Sequence, residues 1–532
     1  LFLYERYDDI RLVGAPPSAI GKFGGDTDNW MWPRHTGDFA MFRVYMSPDG
    51  KPAAYSPNNI PLKPRHHLPI SLKGVKKGDY AMIMGYPGST DRFLTSYGVQ
   101  QETDMVQPAR VMLRGTRLEL MKKDMDQSDK VRIQYASNYA QISNYWKYFI
   151  GQTRGLKRLH VYEKKKAEEE AFQKWVDADP ERKKKYGNVI NDIASAYKEL
   201  SKYALPETYL SECVFGMEIN MLLINFKRME GLMSKEGVTP EQVKGALARI
   251  APAIEDYFKN HNAPTDINVM TAMLGYYHKN ISADFHPKEL TDMHAKYNGD
   301  FRKWVENYYA TSVFTDEARL KTWMENPDKD KLLKDEGYAL MSAFLSAYRD
   351  FSSKAGETTA RLEEATRLYV DGLRKMNPNK KYYPNANFTL RLTYGSVLDY
   401  SAADAVMYNY YTTLDGIMEK EDPKNEEFIV PAKLKELWKN KDYGQYGENG
   451  VMKVAFLTNT DITGGNSGSP VINAKGELIG CAFDGNWEAM SGDIAFEHQL
   501  QRTISVDIRY VLFVVDKYAG AGHLVKEMTL VK

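Results

Sequence analysis

The chain is poor in cysteine, in net charge and in long apolar runs. Only two cysteines, Cys213 and Cys481, occur in 532 residues, too few for a disulfide framework or a thiolate metal cluster. They leave the redox compartment open. Lysine plus arginine number 71 against 70 aspartate plus glutamate, a formal charge of +1. So balanced a chain exerts no global attraction on nucleic acid or anionic lipid. No stretch approaches the roughly 18 consecutive apolar residues of a membrane-spanning helix, and the most apolar run, Tyr510 to Val515, is strand-sized. The start carries neither a signal-peptide pattern nor an initiator Met, and its opening Leu-Phe-Leu-Tyr-Glu-Arg reads like the middle of something.

What is present points to a folded protein. Apolar residues make up 43% and aromatics 12%, with 36 tyrosines, which excludes a disordered chain. At about 150 residues per domain the length suggests roughly three or four domain-sized units.

Three regions differ in texture. From Leu1 to about Gln100 short strands alternate with turns: Phe39–Tyr45 runs into Ser47-Pro-Asp-Gly50, and Asp79–Met84 into Gly85-Tyr-Pro-Gly88. From about Glu102 to Met376 the pattern turns helical, with helices expected over Val106–Lys123, Leu156–Trp175, Thr239–Ala251, Pro287–Tyr297 and Lys331–Ser353. The run Lys164–Glu170 sets acids three and four residues from bases, as a solvated helix face does. After Pro384 strands return, over Phe388–Tyr394, Val454–Thr458, Pro470–Ile472, Glu477–Gly480 and Thr503 to Val515. No internal repeat supports a solenoid. Strands, helices, then strands fits either separate domains or a helical insertion within one β fold.

Chemistry concentrates in Thr463-Gly-Gly-Asn-Ser-Gly-Ser-Pro470, between two predicted strands. Acyl transfer needs an exposed hydroxyl on a tight turn, with backbone N–H groups aimed at the developing oxyanion. Glycines let the backbone adopt the angles and close approach this requires. A Gly/Ser-rich hairpin turn without chemistry is the competing reading. The segment resembles the nucleophile turn of chymotrypsin-like serine peptidases. That resemblance makes Ser467 the nucleophile and the N–H groups of Gly465 and Ser467 the oxyanion hole, with Ser469 the competing hydroxyl.

A second segment, Gly24-Gly-Asp-Thr-Asp-Asn-Trp-Met-Trp-Pro-Arg-His-Thr-Gly-Asp-Phe39, extends the likeness. Here the chain resembles the bacterial dipeptidyl peptidases of serine peptidase family 46. The resemblance implies an α+β protein: a chymotrypsin-like double β-barrel, its first barrel largely missing here, with a large inserted α-helical cap domain. It divides the chain into residues 1–100 (end of the first barrel and start of the second), 101–385 (helical insertion) and 386–532 (the part carrying the nucleophile). Asp38 becomes the triad acid. Asn29, Trp30, Asn144 and Asp484 become contacts to the substrate's free N-terminus, since an enzyme releasing dipeptides must measure two residues from a charged amine. Gly485 becomes the residue lining the primary pocket. Glycine there implies the subgroup that prefers a hydrophobic residue at the second position, where an arginine would suit acidic side chains.

Without the resemblance these residues have ordinary uses. Trp30 and Trp32 beside Pro33 could pack a barrel corner, and Asp38 could cap a turn. Asn144 could be a polar residue on a helix surface, and Asp484 half of a turn pair. The family's general-base histidine, in an Asn-His-His-Cys-like segment ahead of the triad acid, has no match among the ten histidines. His35 is three residues from Asp38, too close for two loops, and His66 and His67 follow the acid in a surface-like connection. The expectation is that an N-terminal part holding the histidine is absent, and that this polypeptide alone turns over dipeptidyl substrates very poorly.

The expected function is a serine-type dipeptidyl aminopeptidase acting on oligopeptides, with no metal or other cofactor, no nucleic acid and no membrane insertion. The resemblance implies a homodimer in the periplasm or outside a Gram-negative cell. The alternatives are an acidic-specific dipeptidyl peptidase of the same family, a non-catalytic peptide-binding protein of degenerate peptidase fold, and a helical interaction scaffold.

Overall fold

The computed structural model describes residues 3–532. It comprises two compact units: Leu1–Arg92 together with Tyr383–Lys532, and Phe93–Tyr382.

The first unit is rich in strands. Antiparallel β1 (Ile10–Gly14), β2 (Met41–Met46) and β3 (Ile60–Pro61) form a small sheet. A nine-stranded sheet contains β4 (Ile70–Ser71), β5 (Tyr80–Gly85), β6 (Arg391–Ser396), β9 (Tyr411–Thr413), β10 (Lys453–Thr458), β11 (Pro470–Ile472), β12 (Leu478–Gly485), β13 (Thr503–Asp507) and β14 (Leu530–Val531). Its main order is β6-β5-β11-β12-β13-β10-β9. The hairpin β7 (Tyr400–Ala403) to β8 (Val406–Tyr408) stands apart.

Side-chain alternation explains the sheet. In β5, Ala81 and Ile83 point into a core with Val397, Phe456 and Val471, while Tyr80 and Met84 face outward. The larger of these side chains, Ile83, Val397, Phe456 and Val471, each contribute about 1.5–3 kcal/mol relative to exposure. Strands β10 and β13 are buried along nearly their whole length.

One expected strand is half helix. Thr503 to Val515 is strand only to Asp507; Ile508–Phe513 is α-helical. The Asp507 side chain caps that helix by accepting from the Arg509 N–H. Apart from Arg509, which pairs with Asp507, the run after it is apolar because the helix is buried, so periodicity alone does not separate the two states.

The second unit is helical. Its main core gathers Phe226, Tyr277, Trp304, Phe314, Tyr338 and Phe344. Local signals set several starts: Thr239 and Gln242 form a reciprocal capping box ahead of Pro240–Asn260. The helix expected over Leu156–Trp175 is two helices, Asp129–Arg158 and Val161–Asp177, broken where His160 adopts a left-handed φ of 51°. The one expected over Lys331–Ser353 is also two, Lys329–Lys334 and the 41-residue Glu336–Met376, separated by the cap residue Asp335.

Candidate active site

The Thr463–Pro470 segment joins β10 to β11 and is held from both sides. The Gly468 N–H donates to the Ala482 carbonyl and the Ala482 N–H to Ser469, tying the turn to β12. On the other side the Gly88 N–H donates to the Gly464 carbonyl at 2.7 Å. Gly465 has φ 104° and Gly468 φ 84°, in the region glycine occupies at no steric cost. A Cβ on Gly465 would also lie 2.3 Å from the Tyr86 carbonyl oxygen. Both turn glycines are therefore required by backbone geometry.

This bracing presents one hydroxyl and hides another. Ser467 is exposed and Ser469 is buried. The Ser467 hydroxyl donates to the Phe483 carbonyl at 3.2 Å, at an irregularity in the β12–β13 register between Ala482 and Asp484. Among the described residues, the N–H groups of Gly465 and Ser467 donate to no protein acceptor. Two unspent donors beside an exposed hydroxyl are the arrangement that stabilises an oxyanion.

The next two residues of β12 bring in the second motif. The Asp484 carboxylate accepts from the Gly485 N–H at 2.8 Å, the Trp30 N–H at 3.1 Å and the Arg34 guanidinium at 2.7 Å. Both charged side chains are buried. Arg34 also donates to the Asp28 carbonyl and to Thr36 Oγ1, and its guanidinium lies over the Phe483 ring. Trp30 has a left-handed φ of 64°, a strained position for a bulky residue. A Cβ on Gly485 would meet Ala489 at 3.0 Å and the Trp30 ring at 3.5 Å.

The loop bearing Asn29 and Trp30 is anchored from behind. Glu427 accepts from the Asp26 N–H at 2.7 Å and from Thr27 Oγ1 at 2.6 Å. Lys420 bonds Asp28 at 2.8 Å and the Pro33 carbonyl at 3.0 Å. Trp32 is buried and bonds the Asn409 carbonyl, so the packing use holds for this tryptophan. Arg34, Glu427 and Lys420 are absent from the sequence expectations. Their partners lie about four hundred residues away, and no local pattern marks them.

Asp38 sits at the exposed surface, yet protein crowded round its carboxyl raises its pKa; the charge of Arg34 opposes the rise and that of Asp484 adds to it. Arg34 thus acts on two acids, on Asp484 by a direct bond and on Asp38 through its charge. Beside it, His35 is buried and held neutral, its pKa driven down to about 3 by burial and by Lys420 and Arg34. A Cβ on Gly416 would lie within 2.1 Å of its Nε2, so the ring is closely packed. His66 and His67 are exposed. The Cys481 thiol is pushed up to about 11 by burial and by Asp38.

Hydrogen bonds and packing therefore join Ser467 to Phe483–Gly485, Trp30 and Arg34, with Asp38 in the same electrostatic neighbourhood. Asn29 occupies the Trp30 loop, its N–H donating to the Asp26 carbonyl. Asn144 belongs to the helical unit, half-buried on Asp129–Arg158. Among the described residues no three His, Cys, Asp or Glu side chains are grouped to hold a metal ion.

Comparison with known proteins gives the family. A dipeptidyl-peptidase 7 of Phocaeicola vulgatus is 45% identical over 540 residues, covering 100% of this chain and 74% of the relative. An Asp/Glu-specific dipeptidyl-peptidase of Flavobacterium psychrophilum is 40% identical over 536 residues, covering 100% of this chain and 74% of that one. The crystal structure of Porphyromonas endodontalis DPP11 with the dipeptide Arg-Glu superposes with a TM-score of 0.87 at 36% identity, over 98% of this chain and 74% of that one. The peptidase S46 family matches residues 1–530. The chain belongs to the peptidase S46 family.

Proposed function

We propose that this chain carries the reaction centre of a serine-type dipeptidyl aminopeptidase. Dipeptidyl peptidase activity is supported by the relatives, and the serine mechanism by one observation above all. Ser467 is exposed on a turn whose Gly465 and Ser467 N–H groups have no protein acceptor among the described residues. Ser467 attacks the carbonyl of the second residue, and the two N–H groups take up the negative charge that develops. Asp38 orients a histidine general base and stabilises its imidazolium. The resemblance puts that histidine in an Asn-His-His-Cys-like segment, which the 532 residues do not contain.

The amine end is read by Asn29, by Trp30 and by Asp484, whose carboxylate is already shared with Arg34. A substrate ammonium joins this group as a second cation on the Asp484 carboxylate, a charge-assisted contact. The role of Asn144 rests on the resemblance alone. So do the chymotrypsin-type reading of the β-rich unit, the homodimer and the periplasmic or secreted location; sedimentation as a monomer would sink the dimer.

The comparisons back an acidic second residue better than the hydrophobic one expected from Gly485: several relatives are named Asp/Glu-specific, and a DPP11 crystal structure holds the dipeptide Arg-Glu. One observation favours the hydrophobic reading. Arg34 and Arg502, the guanidiniums bonded near this strand end, are engaged by Asp484 and by backbone carbonyls respectively. An acidic side chain would need another cation. Dipeptidyl substrates with Asp, Glu, Leu or Phe at the second position separate the readings. A ratio of acidic to hydrophobic kcat/KM above about ten supports the first and a ratio below about one-tenth the second. Failure of a fluorophosphonate to label Ser467 in the full-length protein would remove the serine mechanism.

A further inference from the structure

The nucleophile turn has two flanks, and only one is used by the amine-reading residues. On one side lies Phe483–Gly485 with Trp30 and Arg34. On the other lies Tyr86–Gly88, joined to the turn by the Gly88 N–H to Gly464 bond and by the close approach of Gly465 to the Tyr86 carbonyl. A peptide whose amine and first two residues occupy the first flank sends its remaining chain past the second.

That second flank is apolar and exposed. Tyr86 is 53% exposed, Phe388 72% and Leu390 53%. Phe388 is held in an unusual state: its φ is +59°, a genuine outlier for a bulky side chain. Its N–H donates to the Pro87 carbonyl at 2.9 Å, and its ring sits over Gly88, where a Cβ would come within 3.0 Å of it. Arg391 fixes the surrounding loop through Thr389 Oγ1, the Pro384 and Asn385 carbonyls and the Asn387 side chain. Within these 532 residues, a strained backbone holds an aromatic ring exposed against the loop that supports the oxyanion donors, an outlier that fits a substrate-facing role.

We infer that Tyr86, Phe388 and Leu390 form a subsite for the apolar side chain that follows the scissile bond, the third residue of the peptide. The occupant is fixed by continuity: the patch is bonded through Pro87 and Gly88 to the reactive turn, on the side away from the amine anchor. Glycine readily adopts the φ of residue 388, so F388G removes the ring without new strain, and F388L keeps an apolar side chain.

This inference rests on the proposed dipeptidyl peptidase, and the assay separates the two. Full-length protein and the variants F388G and F388L are given pentapeptides identical except for Gly, Ser, Leu or Phe at the third position, and dipeptide release is followed by mass spectrometry. The expected result is kcat/KM about tenfold higher for Leu or Phe than for Gly, the discrimination a small apolar contact supplies. That ratio should fall to within about twofold in F388G and persist in part in F388L. Equal rates whatever the third residue, or a preference that survives in F388G, would overturn the subsite and leave the dipeptidyl peptidase standing. No dipeptide from any peptide overturns both.

Discussion

At the scale of the residue, the site turns on two choices the backbone makes. The first is between two serines. Ser467 and Ser469 look alike in sequence, but one is exposed and one is packed beneath Gly85, whose Cβ would lie 2.4 Å from Ser469 Oγ. We predict that S467A abolishes fluorophosphonate labelling of the full-length protein, whereas S469A keeps it within about twofold; loss in both would reopen the assignment. The second choice is the Arg34–Asp484 pair. Removing one partner strands a buried charge, which costs about 3–5 kcal/mol, while replacing both by apolar residues is often neutral. D484L should therefore lower the denaturation midpoint strongly, and R34M/D484L should recover most of it without recovering recognition of a free amine. A double variant as unstable as the single would refute the pairing as described.

At the scale of the element, turn chemistry was readable in the sequence and long-range pairing was not. The Thr463–Pro470 turn announces itself because its conformation demands glycine at particular places, and Gly465 and Gly468 take up that demand. G465A forces a methyl group onto the Tyr86 carbonyl at a positive φ. We predict a loss of at least about 1–3 kcal/mol with loss of labelling; a variant of unchanged stability would show the turn to be less constrained. Breaks inside elements left no such mark. His160 ends a helix in a stretch rich in helix formers, held by bonds to Lys157 and from Lys164. Asp507 converts an apolar run from strand to helix with a single side-chain cap. Arg34 is the clearest omission: its carboxylate partner is 450 residues away, so the contact that joins Asp484 to the Trp30 loop exists only once the sheet has formed.

At the scale of the whole molecule, each unit carries its own response to pH. In the β-rich unit, His35 is neutral when folded down to about pH 3, whereas an unfolded histidine binds a proton below about 6.5. The unfolded state holds more protons in that window, so this contribution falls as pH drops from about 6.5, by roughly 1.4 kcal/mol per unit at most. In the helical unit, burial and Asp266 raise Glu218 to about 7 while Arg117 opposes them. Between about 4.5 and 7 the folded state keeps a proton the unfolded state has lost, so this unit loses stability as pH rises through that window. Hydrogen exchange at pH 5.5 and 7.5 should show protection around His35 weakening in acid and protection around Glu218 strengthening. H35Q and E218Q should each flatten only their own response; a common direction in both units would contradict the assignment.

The central claim is that Ser467 cleaves two residues from a free amine. It is tested most directly by giving the full-length protein one pentapeptide in free and N-acetylated forms and identifying every product by mass. The account predicts a single N-terminal dipeptide from the free form, none from the acetylated form, and none from either with S467A. Single amino acids, equal cleavage of the acetylated peptide, or dipeptide release that survives S467A would contradict it.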